Sequence, residues 1–169
     1  VGTVAILGKE SAGLVIAVFS IGSILGGVIL GNRNKGKWAL TRFFALITFG
    51  YLLVFVNPTD AIWLSFAWFI AGLGIAPALG TLSAIIGVTV KTSDAPEAYG
   101  WTGTGQLMGY SAGAALAGIA IEVVAPTASL LIAVVFGLGA TLVAAMSVGI
   151  TPALGKQPTD TQSIQVIKE

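Results

Sequence analysis

The chain has 169 residues, of which 56% are hydrophobic and 9% are charged, and its formal net charge is +1. Soluble domains carry about 25% charged residues, so this composition excludes an ordinary water-facing surface. The lack of cysteine and histidine excludes disulfides, thiolate metal sites and catalysis by either side chain, and the small net charge argues against a nucleic-acid partner. We therefore predict an integral membrane protein with no metal and no cofactor.

The charged residues divide the chain into five long charge-free stretches. A membrane-spanning helix needs about 20 apolar residues, whereas β-barrel strands are about ten residues long and alternate in polarity, which these stretches do not. The predicted fold class is therefore all-α, a polytopic transmembrane helix bundle. The predicted spans are residues 12–31, 38–57, 61–90, 98–122 and 127–150. They form one predicted domain over residues 1–150, followed by a polar tail at 151–169.

Residues 1–8 are apolar and end just before the charged pair Lys9 and Glu10. We expect them to be the end of a sixth span whose start is missing. Because the chain begins at Val1 and not at a methionine, we expect it to be processed or to be a piece of a longer protein.

The basic residues predict the orientation in the membrane. Short connections force neighbouring helices to run antiparallel, and Lys and Arg accumulate on the cytoplasmic side. Seven of the eight basic residues fall in one alternating set of connections, and only Lys9 falls in the other. We predict a multi-pass protein of the cell membrane whose start lies outside and whose tail is cytoplasmic.

Small residues indicate where the predicted helices pack, because helices in lipid associate through close contact. The fourth span carries Gly105, Gly109 and Gly113 at four-residue spacing, which predicts a packing face that either is fixed or slides during function. The first and third spans carry similar rows. The third span also contains Pro77 near its middle, and we expect a kink or a strong tilt there.

Polar and aromatic residues inside the spans are the candidates for binding, because their burial in lipid is costly without a role. Gln106 offers both a donor and an acceptor, and Tyr110 lies one turn further on the same face. Trp68 lies deeper in the third span than an interfacial tryptophan would, and Ser20 is central in the first. Each of these side chains is also open to a plain packing role.

Three stretches resemble helices of one transporter family. SAGLVIAVFSIGSILGGVILGNR (residues 11–33) resembles an eighth helix with the start of the loop after it, and AGLGIAPALGTLSAIIG (71–87) resembles a tenth helix. PEAYGWTGTGQLMGYSAGAALAGIAIE (96–122) resembles the eleventh helix of bacterial efflux-type members. The chain thus resembles the C-terminal half of a major facilitator superfamily transporter, from the end of the seventh helix through the twelfth.

The signature loop of that family has a weaker copy between the eighth and ninth helices, which residues 27–37 resemble. The matching positions are Gly27, Arg33, Gly36 and Lys37. Asn32 stands where the family has an acid, which puts a charge-based gating lock in doubt. The basic residues are equally well explained by the positive-inside rule.

The resemblance implies a twelve-helix fold of two halves, with a small-molecule substrate bound between them near mid-membrane and reached by alternating access. It also implies coupling to a proton or ion gradient, typically for efflux of drugs, sugars or metabolites. The implied partners are the substrate, the lipid bilayer and the missing N-terminal half. Because no charged residue lies near the centre of any span, we expect the proton site mainly in that missing half.

Two other classes stay open. The first is a self-contained small membrane scaffold or subunit without transport activity, which the odd number of spans disfavours. The second is a membrane enzyme, which is less favoured because such enzymes usually carry histidine, cysteine or acidic clusters at the bilayer edge. This chain has only the separated pair Asp94 and Glu97 in one loop.

Overall fold

The computed structural model describes residues 2–31 and 36–154, and over these ranges the chain forms helices and no strand. This confirms the predicted all-α bundle. Two short 3-10 turns extend the second and fifth helices, over Val54–Val56 and Ser147–Gly149. The long helices are α1 (Gly2–Leu30), α2 (Ala39–Leu53), α3 (Ala61–Thr89), α4 (Ala95–Val123) and α5 (Ala128–Met146).

A backbone break divides α1 near its start. Gly8 has φ 78° and ψ 173°, a conformation that residues with a Cβ rarely adopt. Helical residues 2–7 are thereby separated from the long apolar segment that ends at Leu30. The break falls where the sequence predicted the end of one span and the approach to the next. That residues 2–7 belong to a longer helix stays a prediction.

Four of the five predicted spans are helices long and apolar enough to cross a membrane, namely Glu10–Leu30, Ala39–Val56, Ala61–Thr89 and Ala128–Gly149. The remaining predicted span is α4. It has 29 residues and is as long as α3, but it is not among the four helices that are apolar enough to cross a membrane. Its sequence carries many glycines together with Thr102, Thr104, Gln106 and Ser111, which lower its hydropathy. That α4 crosses the membrane, as predicted for residues 98–122, stays a prediction.

The closest helix pair is α1 with α3, and glycines on both helices allow it. A Cβ at Gly22 would lie 2.5 Å from the carbonyl oxygen of Phe69, and a Cβ at Gly26 would lie 2.6 Å from the carbonyl carbon of Leu73. The same holds in the opposite direction, because a Cβ at Gly72 of α3 would collide with the α1 backbone. The small-residue rows of the first and third spans therefore lie at a helix–helix interface, where such residues let backbones approach.

On its other side α3 packs against α2 in the same manner. A Cβ at Gly74 would lie 2.7 Å from the carbonyl oxygen of Phe43, and a Cβ at Gly50 would lie 2.7 Å from the Cα of Ala71. Helix α3 is therefore the centre of the bundle, with α1 and α2 on either side. The largest fully buried side chains belong to these three helices and the turn after α2: Phe43, Leu64, Val15, Val54 and Pro77.

Hydrogen bonds stabilise the end of α2, the start of α3 and the contact between α2 and α5. The Asp60 carboxylate accepts hydrogen bonds from the amides of Ile62 (2.8 Å) and Trp63 (3.4 Å) and so caps α3. The Trp63 indole donates to the carbonyl oxygen of Leu53 at 2.7 Å, where α2 tightens into a 3-10 turn. Helices α2 and α5 meet at Thr48 and Thr141, whose hydroxyl oxygens are 3.1 Å apart.

Candidate functional site

Helix α4 differs from the rest of the bundle because none of its residues is buried. Gln106 and Tyr110 lie one helical turn apart on its exposed surface, and Tyr110 has 76% of its surface accessible. A Cβ at Gly105, Gly109 or Gly113 would meet no atom of the described chain within 4 Å. The predicted packing row of α4 thus lies open in the described part of the chain, and its packing role stays a prediction.

Trp68 lies elsewhere, inside the three-helix core. Its ring meets Phe19 of α1 edge-on at 5.5 Å and 81°, and Tyr51 of α2 at 5.6 Å and 64°. Such edge-to-face pairs contribute about 0.5–1.5 kcal/mol beyond simple burial. The indole nitrogen is buried and has no hydrogen-bond partner among the described residues. Trp68 therefore joins three helices and also keeps one buried donor unused.

Tyr51 of α2 is a core aromatic residue that the sequence analysis did not single out. Its ring packs on that of Trp68 at 5.6 Å and 64°. Among the described residues, no hydrogen bond or ring contact joins Trp68 or Tyr51 to Gln106 or Tyr110, so the structure does not bring these predicted binding residues together through direct contacts. An aromatic residue with a polar end at mid-span was an available signal for Tyr51.

Ser20 lies on an exposed part of α1, and its hydroxyl donates to the carbonyl oxygen of Ile16 at 3.0 Å. This bond to its own helix uses the one donor of the side chain and leaves its acceptor capacity free. No described hydrogen bond or ring contact links Ser20 to Gln106 or to the aromatic residues.

The comparison with protein families bears on the whole bundle. The family model described as the Major Facilitator Superfamily matches residues 4–168, nearly the entire chain. The chain belongs to the major facilitator superfamily. No curated protein matches it, and no solved structure does. As a member of this superfamily, the chain is a multi-pass membrane protein and part of a membrane transporter, so a lipid bilayer and a small-molecule substrate are implied.

The superfamily loop motif is only partly described. Gly27 lies in α1, where a Cβ would come within 3.1 Å of the Ala76 Cβ, so it is a packing residue of the α1–α3 pair. Gly36 and Lys37 are exposed, and the carbonyl oxygen of Gly36 accepts the amide of Ala39 at 2.9 Å, just as α2 begins. Arg33 lies outside the described residues. A gating role for these four residues therefore stays a prediction.

The described acidic residues of α3 and α4 lie at the ends of these helices. Glu122 is exposed in the last turn of α4. At the opposite end of α4, the Glu97 carboxylate accepts the Trp101 indole N–H at 3.3 Å beside a shallow, open depression. Among the described residues no three His, Cys, Asp or Glu side chains group as metal ligands. The described polar and aromatic side chains can therefore offer a substrate hydrogen bonds and aromatic contacts.

Proposed function

We propose that the chain is the C-terminal half of a bacterial efflux transporter of the superfamily, from the end of a seventh helix to a twelfth. In this proposal it moves a small molecule out across the cytoplasmic membrane by alternating access, driven by a proton gradient. The start of the chain lies outside and its tail is cytoplasmic, as the distribution of Lys and Arg favours.

The exposure of α4 is the observation that carries this proposal. A 29-residue helix with no buried residue, an open row of glycines and an exposed glutamine is poorly suited to face lipid on all sides. Such a helix is well suited to face a second set of helices and a polar cavity. We assign that second set to the missing N-terminal half, and we assign the cavity to the substrate.

The substrate wall in this proposal consists of Gln106 and Tyr110 on α4, together with Tyr51 and Trp68 of the bundle. Gln106 supplies one donor and one acceptor group, and the phenols supply flat apolar surface with a polar edge. Ser20 contributes from α1 as a hydrogen-bond acceptor. This combination suits a cargo with both a planar apolar part and hydrogen-bonding groups, as found among drugs and many metabolites.

The proton pathway is assigned mainly to the other half. Acidic residues of this chain occupy helix ends and connections, whereas a coupled carrier needs a titratable group that alternately faces both sides. Among the described residues, Glu122 is the one acidic residue in the last turn of a long helix, and we treat it as a boundary residue.

The test is transport by the complete reading frame in inside-out vesicles, with ethidium and lactose as two classes of cargo. We expect uptake of one of them only while a proton gradient is present. Gln106→Ala should raise the KM for that cargo about tenfold, which corresponds to one hydrogen bond of about 1.4 kcal/mol. The matched control is Ser111→Ala on the same helix, because that hydroxyl donates to the carbonyl oxygen of Leu107 at 2.9 Å.

Two results would overturn the proposal. Gradient-driven transport by residues 1–169 alone, reconstituted in liposomes, would show that no other half is needed. A complete reading frame that adds no further spans, together with a chain that moves neither cargo, would favour the alternative of a self-contained membrane scaffold. The open face of α4 would then pair with a second copy of the chain.

A further inference from the structure

Pro77 leaves one backbone carbonyl of α3 without its usual partner. The proline is fully buried within the continuous helix Ala61–Thr89. Because proline has no amide hydrogen, the carbonyl four residues earlier, that of Leu73, receives no hydrogen bond from position 77. Inside a membrane no water is available to replace it, so this oxygen must find a partner on a neighbouring helix.

Gly26 of α1 lies directly against that oxygen. A Cβ at Gly26 would overlap the Leu73 carbonyl oxygen and would lie 2.6 Å from its carbonyl carbon and 2.7 Å from its Cα. In glycine a hydrogen atom occupies this position, so a Cα–H group points at the oxygen that Pro77 has freed. Contacts of this kind between Cα–H and a carbonyl oxygen recur at helix–helix interfaces.

The contacts between α1 and α3 on either side of the Gly26–Leu73 contact have the same register. One turn earlier on both helices, Gly22 faces the carbonyl oxygen of Phe69, and Gly27 lies against Ala76 near the proline. The carbonyl oxygen of Pro77 itself accepts the Thr81 hydroxyl at 2.7 Å within α3. The missing amide at Pro77 frees only the Leu73 carbonyl, and the group that lies against this oxygen comes from α1.

On the basis of the proposed transport function, we infer that Pro77 is a docking point and not a hinge. The proline leaves the Leu73 carbonyl without its helical donor, and the Cα–H group of Gly26 contacts its oxygen instead. Helices α1 and α3 therefore keep this register and move as one rigid unit through the transport cycle. Conformational change then occurs at the other boundaries of the pair, above all at α4, which has few contacts with either helix.

Spin labels at the two ends of α3 test whether it bends. Residues 1–169 contain no cysteine, so Ile62→Cys with Val88→Cys introduces their only two thiols, at positions that are 83% and 50% exposed, and any cysteine elsewhere in the complete transporter is replaced by serine. The labels flank Pro77 about 39 Å apart along a straight helix. In the complete transporter in liposomes, we expect one narrow distance distribution that does not change when a proton gradient is applied. A distribution with two distances, or one that shifts with the gradient, would overturn the inference.

Three substitutions separate a docking point from a hinge. Gly26→Ala should broaden the distribution, because its Cβ displaces α1 from the Leu73 carbonyl, whereas Gly13→Ala on the same helix should not, because its Cβ meets nothing within 4 Å. Pro77→Ala returns an amide hydrogen to Leu73 within α3, and the distribution should stay as narrow as in the native sequence. A hinge predicts the opposite, a broad native distribution that Pro77→Ala narrows. The comparison of the native sequence with Pro77→Ala decides between the two even if Gly26→Ala does not fold.

A disulfide between the two helices tests the shared movement. The Cβ positions of residues 27 and 76 lie 3.1 Å apart, near the usual span of about 3.5–4.5 Å in disulfides, so Gly27→Cys with Ala76→Cys should cross-link on oxidation. Transport by the oxidised form should stay within about twofold of the reduced form of the same variant. A drop of about tenfold or more that reverses on reduction would show that α1 slides on α3. If the native transporter moves no cargo, the proposed function fails, while the spin-label distances still decide the role of Pro77.

Discussion

Helices α3 and α4 have the same length, 29 residues, and both are rich in glycine, yet they occupy opposite environments. The glycines at 72 and 74 of α3 are enclosed by the backbones and side chains of α1 and α2, whereas a Cβ at 105, 109 or 113 of α4 would meet no atom of another described element within 4 Å. A glycine row therefore indicates that a backbone can be approached closely. It does not indicate which helix approaches it.

Helices α3 and α4 also differ in what they contribute to the bundle. Helix α3 holds the bundle together, since its neighbours pack on it through glycine on two sides and its centre is buried. Helix α4 contributes little to that core and instead carries the exposed polar and aromatic side chains. Under the proposed function, stability and substrate contact depend on different helices, so substitutions in the two helices should affect different measurements.

The largest effect on stability is expected at the α2–α3 interface. In Gly50→Ala, the new Cβ would lie 2.7 Å from both the Cα and the Cβ of Ala71, and neither atom belongs to a flexible side chain. Forcing extra volume into a close-packed site costs about 1–3 kcal/mol. The midpoint of thermal unfolding in detergent should therefore fall clearly below that of the native chain. An unchanged midpoint would mean that α2 and α3 are less closely packed than the structure shows.

Apart from the start of α1, and with the 3-10 turns counted, the helix ends lie within about three residues of the predicted ones, because charges and prolines mark the ends of apolar stretches. Helix α4 begins at Ala95 and not at residue 98, because Pro96 is compatible with a first helical turn and Glu97 interacts favourably with the helix dipole there. The charge that was read as a boundary thus belongs to the helix. The same applies to Glu10, which lies inside α1 after the break at Gly8.

The rotation of each helix could not be predicted in the same way. A soluble helix shows its buried face by an apolar stripe, but a helix in lipid is apolar nearly all round, so the pattern does not indicate its orientation. The position of Trp68 in the sequence, for example, does not indicate that its ring contacts both α1 and α2. The contact of Tyr51 with Trp68 depends on how two separate helices are turned, which no single span encodes.

An effect of opposite sign is expected on α4. Gly109→Ala places a Cβ in open space and replaces a poor helix former by the best one, so residues 1–169 alone should be stabilised by about 0.5–1 kcal/mol. In the complete transporter the same methyl group should obstruct the proposed contact with the other half and lower transport. Thermal unfolding of the chain and transport by the complete protein measure the two effects. Destabilisation of the chain alone would show that α4 packs against the rest of this bundle.

The smallest effect is expected where α2 meets α5, away from both contrasted helices. The hydroxyl oxygens of Thr48 and Thr141 are 3.1 Å apart, and each also lies 2.8 Å from a carbonyl oxygen of its own helix. Because a hydroxyl has one hydrogen, only one of the two can donate across the interface at a time. Thr48→Val should therefore cost only about 0.6 kcal/mol, the average for hydrogen bonds between membrane helices.

The matched control for Thr48→Val is Thr89→Val, because the Thr89 hydroxyl donates only to the carbonyl oxygen of Ile85 in its own helix, at 2.7 Å. The control should unfold at the native temperature. Combining Thr48→Val with Thr141→Val should cost no more than either change alone, since both remove the same interhelical bond. Additive losses in this double-mutant cycle would instead show that each hydroxyl acts through its own helix, and that α2 and α5 are held together by packing around Gly137.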